Sequence, residues 1–199
     1  MKNSENQRIL LAQTAARLMH ENGIRDFRLA KAKAAGQLGI DPRNIALPKN
    51  TEIEAALAEH IRLFDGDSQP STLRNFREAA VEAMGLFAEF RPRLVGDVLS
   101  GLATAHSDVQ LHAFADDSES FDLFLQSHGI PYDLAERRVR LNQGGYAQYP
   151  AFQFAAGGVG FEVVLFPLRE IGQAPRSLID GAPMQRAALS QVKALLSLS

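Results

Sequence analysis

Arg93-Leu-Val-Gly-Asp-Val-Leu-Ser-Gly-Leu-Ala-Thr-Ala-His-Ser-Asp-Val-Gln-Leu-His112 is the stretch on which the fold turns. It reads as a strand over 93–99, a glycine-containing turn with a short connection, and a second strand over 108–114 opened by Ser107-Asp108. Side chains alternate along a strand, so Asp108, Gln110 and His112 share one face while Val109, Leu111 and Ala113 share the other. Farther on, the apolar run Val159-Gly-Phe-Glu-Val-Val-Leu-Phe166 carries a single acid, Glu162. Phe161, Val163 and Leu165 fall on one side of that strand, and Glu162 lies on the other with Val164 and Phe166. A carboxylate in such company is costly unless it is paired, hydrogen-bonded or bound to a cation. Two acids that meet across a sheet would grip a hard divalent ion and a phosphate chain. An equally direct reading has Asp108 capping a turn and Glu162 paired with an arginine such as Arg93 or Arg138.

The chain on either side frames these strands. Helical spacing marks residues 5–22, 26–38 and 51–64, the last opened by Thr51 and Glu54 as a capping box. A linker follows over 65–71, and a further helix runs from 71 to about 90, closed by Pro92. After the quoted stretch come a helix over 116–127 and short strands over 130–134 and 137–141. A hairpin over 148–155 and 159–166 turns on Gly157-Gly158, and a closing helix spans 184–196. The expected fold class is α+β, with a mixed or antiparallel sheet preceded by an all-helical N-terminal region. Its expected division is 1–66 for the helical region and 71–199 for the α+β domain, which includes the helix 71–90.

Composition narrows the function. With 199 residues, 46% hydrophobic and 22% charged, the chain can bury its own core without metal or disulfide. It has no cysteine, which excludes disulfides, thiolate catalysis and cysteine-ligated zinc. It holds no apolar run of membrane-spanning length, and its N-terminus lacks the apolar core of a secretory signal. The expectation is a soluble cytoplasmic protein with no membrane partner. The net charge of −2 hides an asymmetry: residues 1–50 carry nine Lys and Arg against four acids, and residues 51–140 carry eight against sixteen. The basic helix with Arg25, Arg28, Lys31 and Lys33 suits either a solvated surface or contact with phosphates. Gly157-Gly-Val-Gly160 lacks the Gly-Lys-Ser/Thr ending of a P-loop. Arg169 and Arg176, in the loop after the Glu162 strand, suit phosphate contacts.

Gly96-Asp97, then ten residues, then Asp108-Val-Gln-Leu resembles the signature of the polymerase-beta-like nucleotidyltransferase superfamily. The chain as a whole is also similar to small bacterial proteins described simply as nucleotidyltransferases. Leu29-Ala-Lys-Ala-Lys-Ala-Ala35, Leu47-Pro-Lys-Asn-Thr-Glu-Ile-Glu-Ala55, Gln173-Ala-Pro-Arg-Ser177 and Asp180-Gly-Ala-Pro-Met184 carry that likeness. The resemblance implies a small sheet with helices on one face and an open cleft. There magnesium ions would steady a nucleoside triphosphate while a nucleoside monophosphate passes to an acceptor hydroxyl. Carried over by position, Asp108 and Glu162 become the catalytic carboxylates and Asp108, Gln110 and Glu162 the metal ligands. Gly96, Asp97 and Ser107 become the turn residues that hold the phosphates, with Arg169 as a further phosphate partner.

Two departures weaken that set. Asp97 stands where a small hydroxyl is expected, and its charge repels phosphate. Gln110 stands where a second carboxylate is expected, and it is neutral. Three readings follow: a degenerate member that binds a nucleotide or another polyanion without transfer chemistry; an active, metal-dependent transferase toward an unknown nucleic-acid or protein acceptor; and a non-catalytic structural or protein-interaction module.

Overall fold

Helix α1 (Lys2–Asn22) turns Leu11, Ala12, Ala15, Ala16 and Leu18 inward at helical spacing, leaving Ile9 and Leu10 exposed. The computed structural model describes residues 2–66, 68–142 and 144–197, so Asp67 of the expected linker lies outside the described residues. Helix α2 (Phe27–Leu38) begins at Asp26, whose carboxylate accepts the backbone N–H groups of Arg28 and Leu29, and ends at Gly39 in the left-handed region. Helix α3 (Asn50–Phe64) buries Ile53, Leu57 and Ile61. The expected Thr51–Glu54 box is not what opens it. Glu52 accepts the Lys49 N–H at 2.7 Å, so the helix starts before Thr51.

These helices form one compact unit, residues 1–69 together with Thr104–His106 and Leu178–Asp180. Arg8 Nη2 reaches Glu52 Oε2 at 2.6 Å and ties α1 to α3. The two excursions are hydrogen-bonded in: Arg25 Nη2 donates to the His106 carbonyl at 3.3 Å, and Asn50 Nδ2 to that of Leu178 at 2.6 Å.

The second unit comprises Pro70–Ala103, Ser107–Ser177 and Gly181–Ser199. Helix α4 (Gln69–Leu86) and a 3₁₀ turn (Ala88–Phe90) lead to strand β1 (Arg93–Val95). The strand expected over 93–99 stops early. Gly96 has φ +70°, and the next residues coil into the short helix α5 (Gly96–Ser100), which Gly101 ends at φ +86°. Strand β2 (Val109–Phe114) and helix α6 (Ser118–Ser127) follow, the helix capped by Asp117 through the Ser120 N–H. The two short strands expected over 130–141 are one, β3 (Asp133–Arg140), because the long strand β4 (Tyr146–Ala156) offers a partner along its whole length. Strand β5 (Val159–Phe166) returns from β4 through Gly157 and Gly158, both at positive φ as a two-residue hairpin requires. Helix α7 (Leu189–Ser197) starts later than expected, after an extended stretch in which Ala187 bridges Leu94.

The sheet order is β1-β2-β5-β4-β3, with β2 and β5 parallel and every other neighbour antiparallel. The chain is thus α+β, with a mixed five-stranded sheet and a helical N-terminal region. Helices α4 to α7 cover one sheet face. Met84, Phe87, Val98, Phe121, Leu125 and Val192 pack there on Leu94, Leu111, Phe152, Phe161 and Val163. Edge-to-face ring pairs such as Phe90–Phe121, 4.8 Å apart, stiffen this layer. On the other face, Phe114, Tyr149, Ala151, Val164 and Phe166 gather under Leu168 and Ile171 from the segment after β5. No described helix is long and apolar enough to cross a membrane.

Candidate functional site: a polar row across the sheet

Strand register assembles the site. Val95 pairs with Gln110, Gln110 with Glu162, and Glu162 with Gln153, so one row crosses β1, β2, β5 and β4 on a single face. Asp108 precedes this row by two residues and shares its side of the sheet. The packing of two glycines shows how the polar side chains lie. A Cβ on Gly96 would stand 2.0 Å from Gln110 Oε1, and a Cβ on Gly160 would stand 2.1 Å from Asp108 Oδ1. Gln110 therefore leans over β1 and Asp108 over β5. They bend to opposite flanks of β2 rather than toward a common point.

Glu162 is the buried charge of the site, with its side chain 5% exposed. Arg137 Nη2 donates to Glu162 Oε2, and Gln153 Nε2 donates to the same oxygen at 3.1 Å. Arg137 belongs to β3, two strands away. Its direct partner is Tyr149, and it reaches Glu162 past Ala151, which is too small to obstruct it. The arginine partner of Glu162 is thus neither Arg93 nor Arg138. Arg93 donates to the carbonyls of Arg91 and Pro92, and Arg138 stacks on the Tyr146 ring at 4.0 Å. The phase of β3 explains the outcome: Arg137 lies two residues from the inward Val139 and shares its face, whereas Arg138 is out of phase. That signal was present in the sequence. The role of Gln153 depended on the β4–β5 register and was not legible there.

The remaining expected residues lie as follows. Asp97 is exposed in the first turn of α5, and Ser107 is buried just ahead of β2. Arg169 is not brought to the row. Strand β5 carries the chain about 13 Å beyond Glu162 by Phe166, and the Arg169 side chain there is 82% exposed, with Glu170 3.9 Å away. Arg176 turns its Nη1 to the Gly181 carbonyl at 2.8 Å.

His112 continues the face but serves another end. Its Nδ1 accepts from Arg186 Nε at 2.9 Å, and Arg186 Nη1 donates to the carbonyls of Glu170 and Ile171. The Arg186 guanidinium sits 5.0 Å from the centre of both the Phe114 and Phe166 rings. Burial, and then the Arg186 charge, push His112 down to about 3. It is a neutral acceptor that pins the Arg186 segment to the sheet. Burial, and then Arg93, lower Arg186 to about 10. Tyr149 donates to Glu170 Oε2 at 2.7 Å, and burial followed by that carboxylate raises it to about 12.

The expected divalent metal can be tested against this geometry. It needs several oxygens converging on one point. Here one carboxylate is already held by a guanidinium and an amide, the intervening glutamine is neutral, and it leans away. Among the described residues no group of three or more His, Cys, Asp and Glu is placed to hold a metal ion. The residues do not fit the expected magnesium centre. An open cleft of about 420 Å³ does exist, between α4 and the β4–β5 hairpin, lined in part by Glu82, Leu86, Phe87, Phe154 and Phe161. It lies on the helix-covered side, away from Glu162.

The chain matches no family model and no curated protein sequence.

Proposed function

We propose that the second unit is a nucleotidyltransferase-like module with a partly degenerate metal centre, which binds a nucleotide or another phosphate polyanion without the full transfer chemistry. One observation carries this reading: the parallel register of β2 and β5 sets Gln110 beside Glu162, with Asp108 next to them, on the sheet face opposite the α4–α7 layer. A buried acid and two polar side chains in this arrangement have no packing role that an apolar residue would not fill better. Gly96 adds support, because it lets the chain turn over Gln110 at the end of β1 and leaves α5 beside the row. The likeness of Gly96-Asp97 and Asp108-Val-Gln-Leu to the nucleotidyltransferase signature gives the ligand class. The absence of a second carboxylate argues against the active, magnesium-dependent reading.

The interaction-module reading is favoured by a different fact, namely that Glu162 Oε2 is already held inside the protein by Arg137 and Gln153. Calorimetric titration with ATP, GTP, CTP and UTP separates the two. Saturable binding, weakened in Arg137→Gln, is the expected outcome. No binding of any of the four at millimolar concentration by a folded protein would leave the interaction module. Turnover that requires magnesium would restore the transferase.

A further inference from the structure

We infer that Arg137 is the resident cation of this site. Its guanidinium supplies the positive charge that Glu162 would otherwise take from a divalent ion, so the face works without one. The inference rests on the nucleotidyltransferase-like reading above for its ligand class, but its geometry stands alone. Glu162 is 5% exposed, and burying a carboxylate is costly without a counter-charge beside it. Arg137 provides it while remaining 47% exposed itself, so the cation bridges the buried acid and the open face. A guanidinium has five N–H donors in a planar fork and does not lose its charge. Among the described residues, the Arg137 guanidinium is paired through Nη2 with Glu162. Its other donors are left to a ligand, and a phosphate oxygen is the acceptor that suits them. Gln153 shares the load on Glu162 Oε2, which fixes the carboxylate without adding charge. Removing Arg137 would leave Glu162 and the neighbouring Asp108 without that positive charge, an arrangement that invites a metal ion.

The test is manganese binding, followed by electron paramagnetic resonance and calorimetry, in wild type, Arg137→Ala, Arg137→Gln and Arg137→Ala/Glu162→Gln. The glutamine variant keeps a hydrogen-bonding group beside Glu162 in case the alanine variant does not fold. Wild type is expected to bind manganese weakly. Loss of the guanidinium is expected to tighten binding at least about tenfold, and the added Glu162→Gln is expected to abolish the gain. Wild-type binding as tight as that of either folded single variant would overturn the inference. A second arm titrates ATP in EDTA and in magnesium. Equal affinity supports the inference, and binding seen only with magnesium overturns it while leaving the nucleotide reading intact. If ATP binds in neither condition but the manganese pattern holds, the nucleotide reading falls and the resident cation stands.

Discussion

Single side chains set the geometry of the polar row, and two of them make sharp predictions. Gly160 leaves room for the Asp108 carboxylate, so Gly160→Ala forces that side chain aside. Overpacking of this kind costs about 1–3 kcal/mol. The loss should shrink in an Asp108→Ala background, and a urea double-mutant cycle measures the coupling; strictly additive losses would mean that the carboxylate does not rest on Gly160. His112 gives a pH signature. Burial and Arg186 hold it at about 3 in the fold, below its ordinary value of 6.5. Between those values the unfolded chain binds a proton that the folded chain refuses. Stability is therefore full above pH ~6.5 and falls as the solution is acidified toward about 3. Arg186 donates to His112, Arg93 lies opposite it in register, and Phe166 packs on its ring, so no acid among these groups offsets the effect. From pH 6.5 to 5 the loss should be about 2 kcal/mol, and largely absent in His112→Gln, which still accepts from Arg186. Urea midpoints at the two pH values decide it. The alternation of Asp108, Gln110 and His112 was legible in the sequence, as was the anomaly of Glu162. What was not legible was the direction in which each side chain leans, because that depends on glycines in neighbouring strands. Arg137 was readable only by phase, and the phase was blurred by the run of charges around it.

Elements were legible where local chemistry punctuates them. Asp26 and Gly39 bound α2, Asp117 opens α6, and Gly157-Gly158 turns the hairpin, each through a preference of its own residues. They were misread where tertiary partners decide. Leu94, Val95, Val98 and Leu99 suit a strand over 93–99, but Gly96 breaks it, and Val98 is buried as part of a helix instead. The charges in Asp133–Arg140 discourage a strand, yet an edge position tolerates them because one flank faces water. Helix α5 is only five residues long, and a side chain of α4 ties to its backbone. Buried Arg77 donates from Nε to the Val98 carbonyl at 3.3 Å. Arg77→Ala should lower stability by about 1–3 kcal/mol. It should also speed amide exchange at Gly101 and Leu102, whose N–H groups close the helix on the Asp97 carbonyl. Unchanged exchange there would show that α5 holds without Arg77.

At the scale of the whole chain, the two units have unequal cores. The first buries alanines and an equal number of leucines and isoleucines, while the second buries Phe87, Phe121 and Phe152 on one sheet face and Phe114 and Phe166 on the other. Apolar burial scales with side-chain area, so the helical unit should unfold first in urea. The chain has no tryptophan, and its three tyrosines, Tyr132, Tyr146 and Tyr149, all belong to the second unit. Tyrosine fluorescence thus reports that unit alone, whereas far-ultraviolet dichroism follows both. The dichroism midpoint should precede the fluorescence midpoint, and coincident curves would show one cooperative transition. The parallel pairing of β2 with β5 has a consequence in time. Between those strands the chain must first lay down α6, β3 and β4, and closures across such a span are slow. Gln110 and Glu162 become neighbours only at that closure. A newly made chain accordingly lacks this polar row until its central strands have met, and a ligand bound there would reward only molecules that have finished folding.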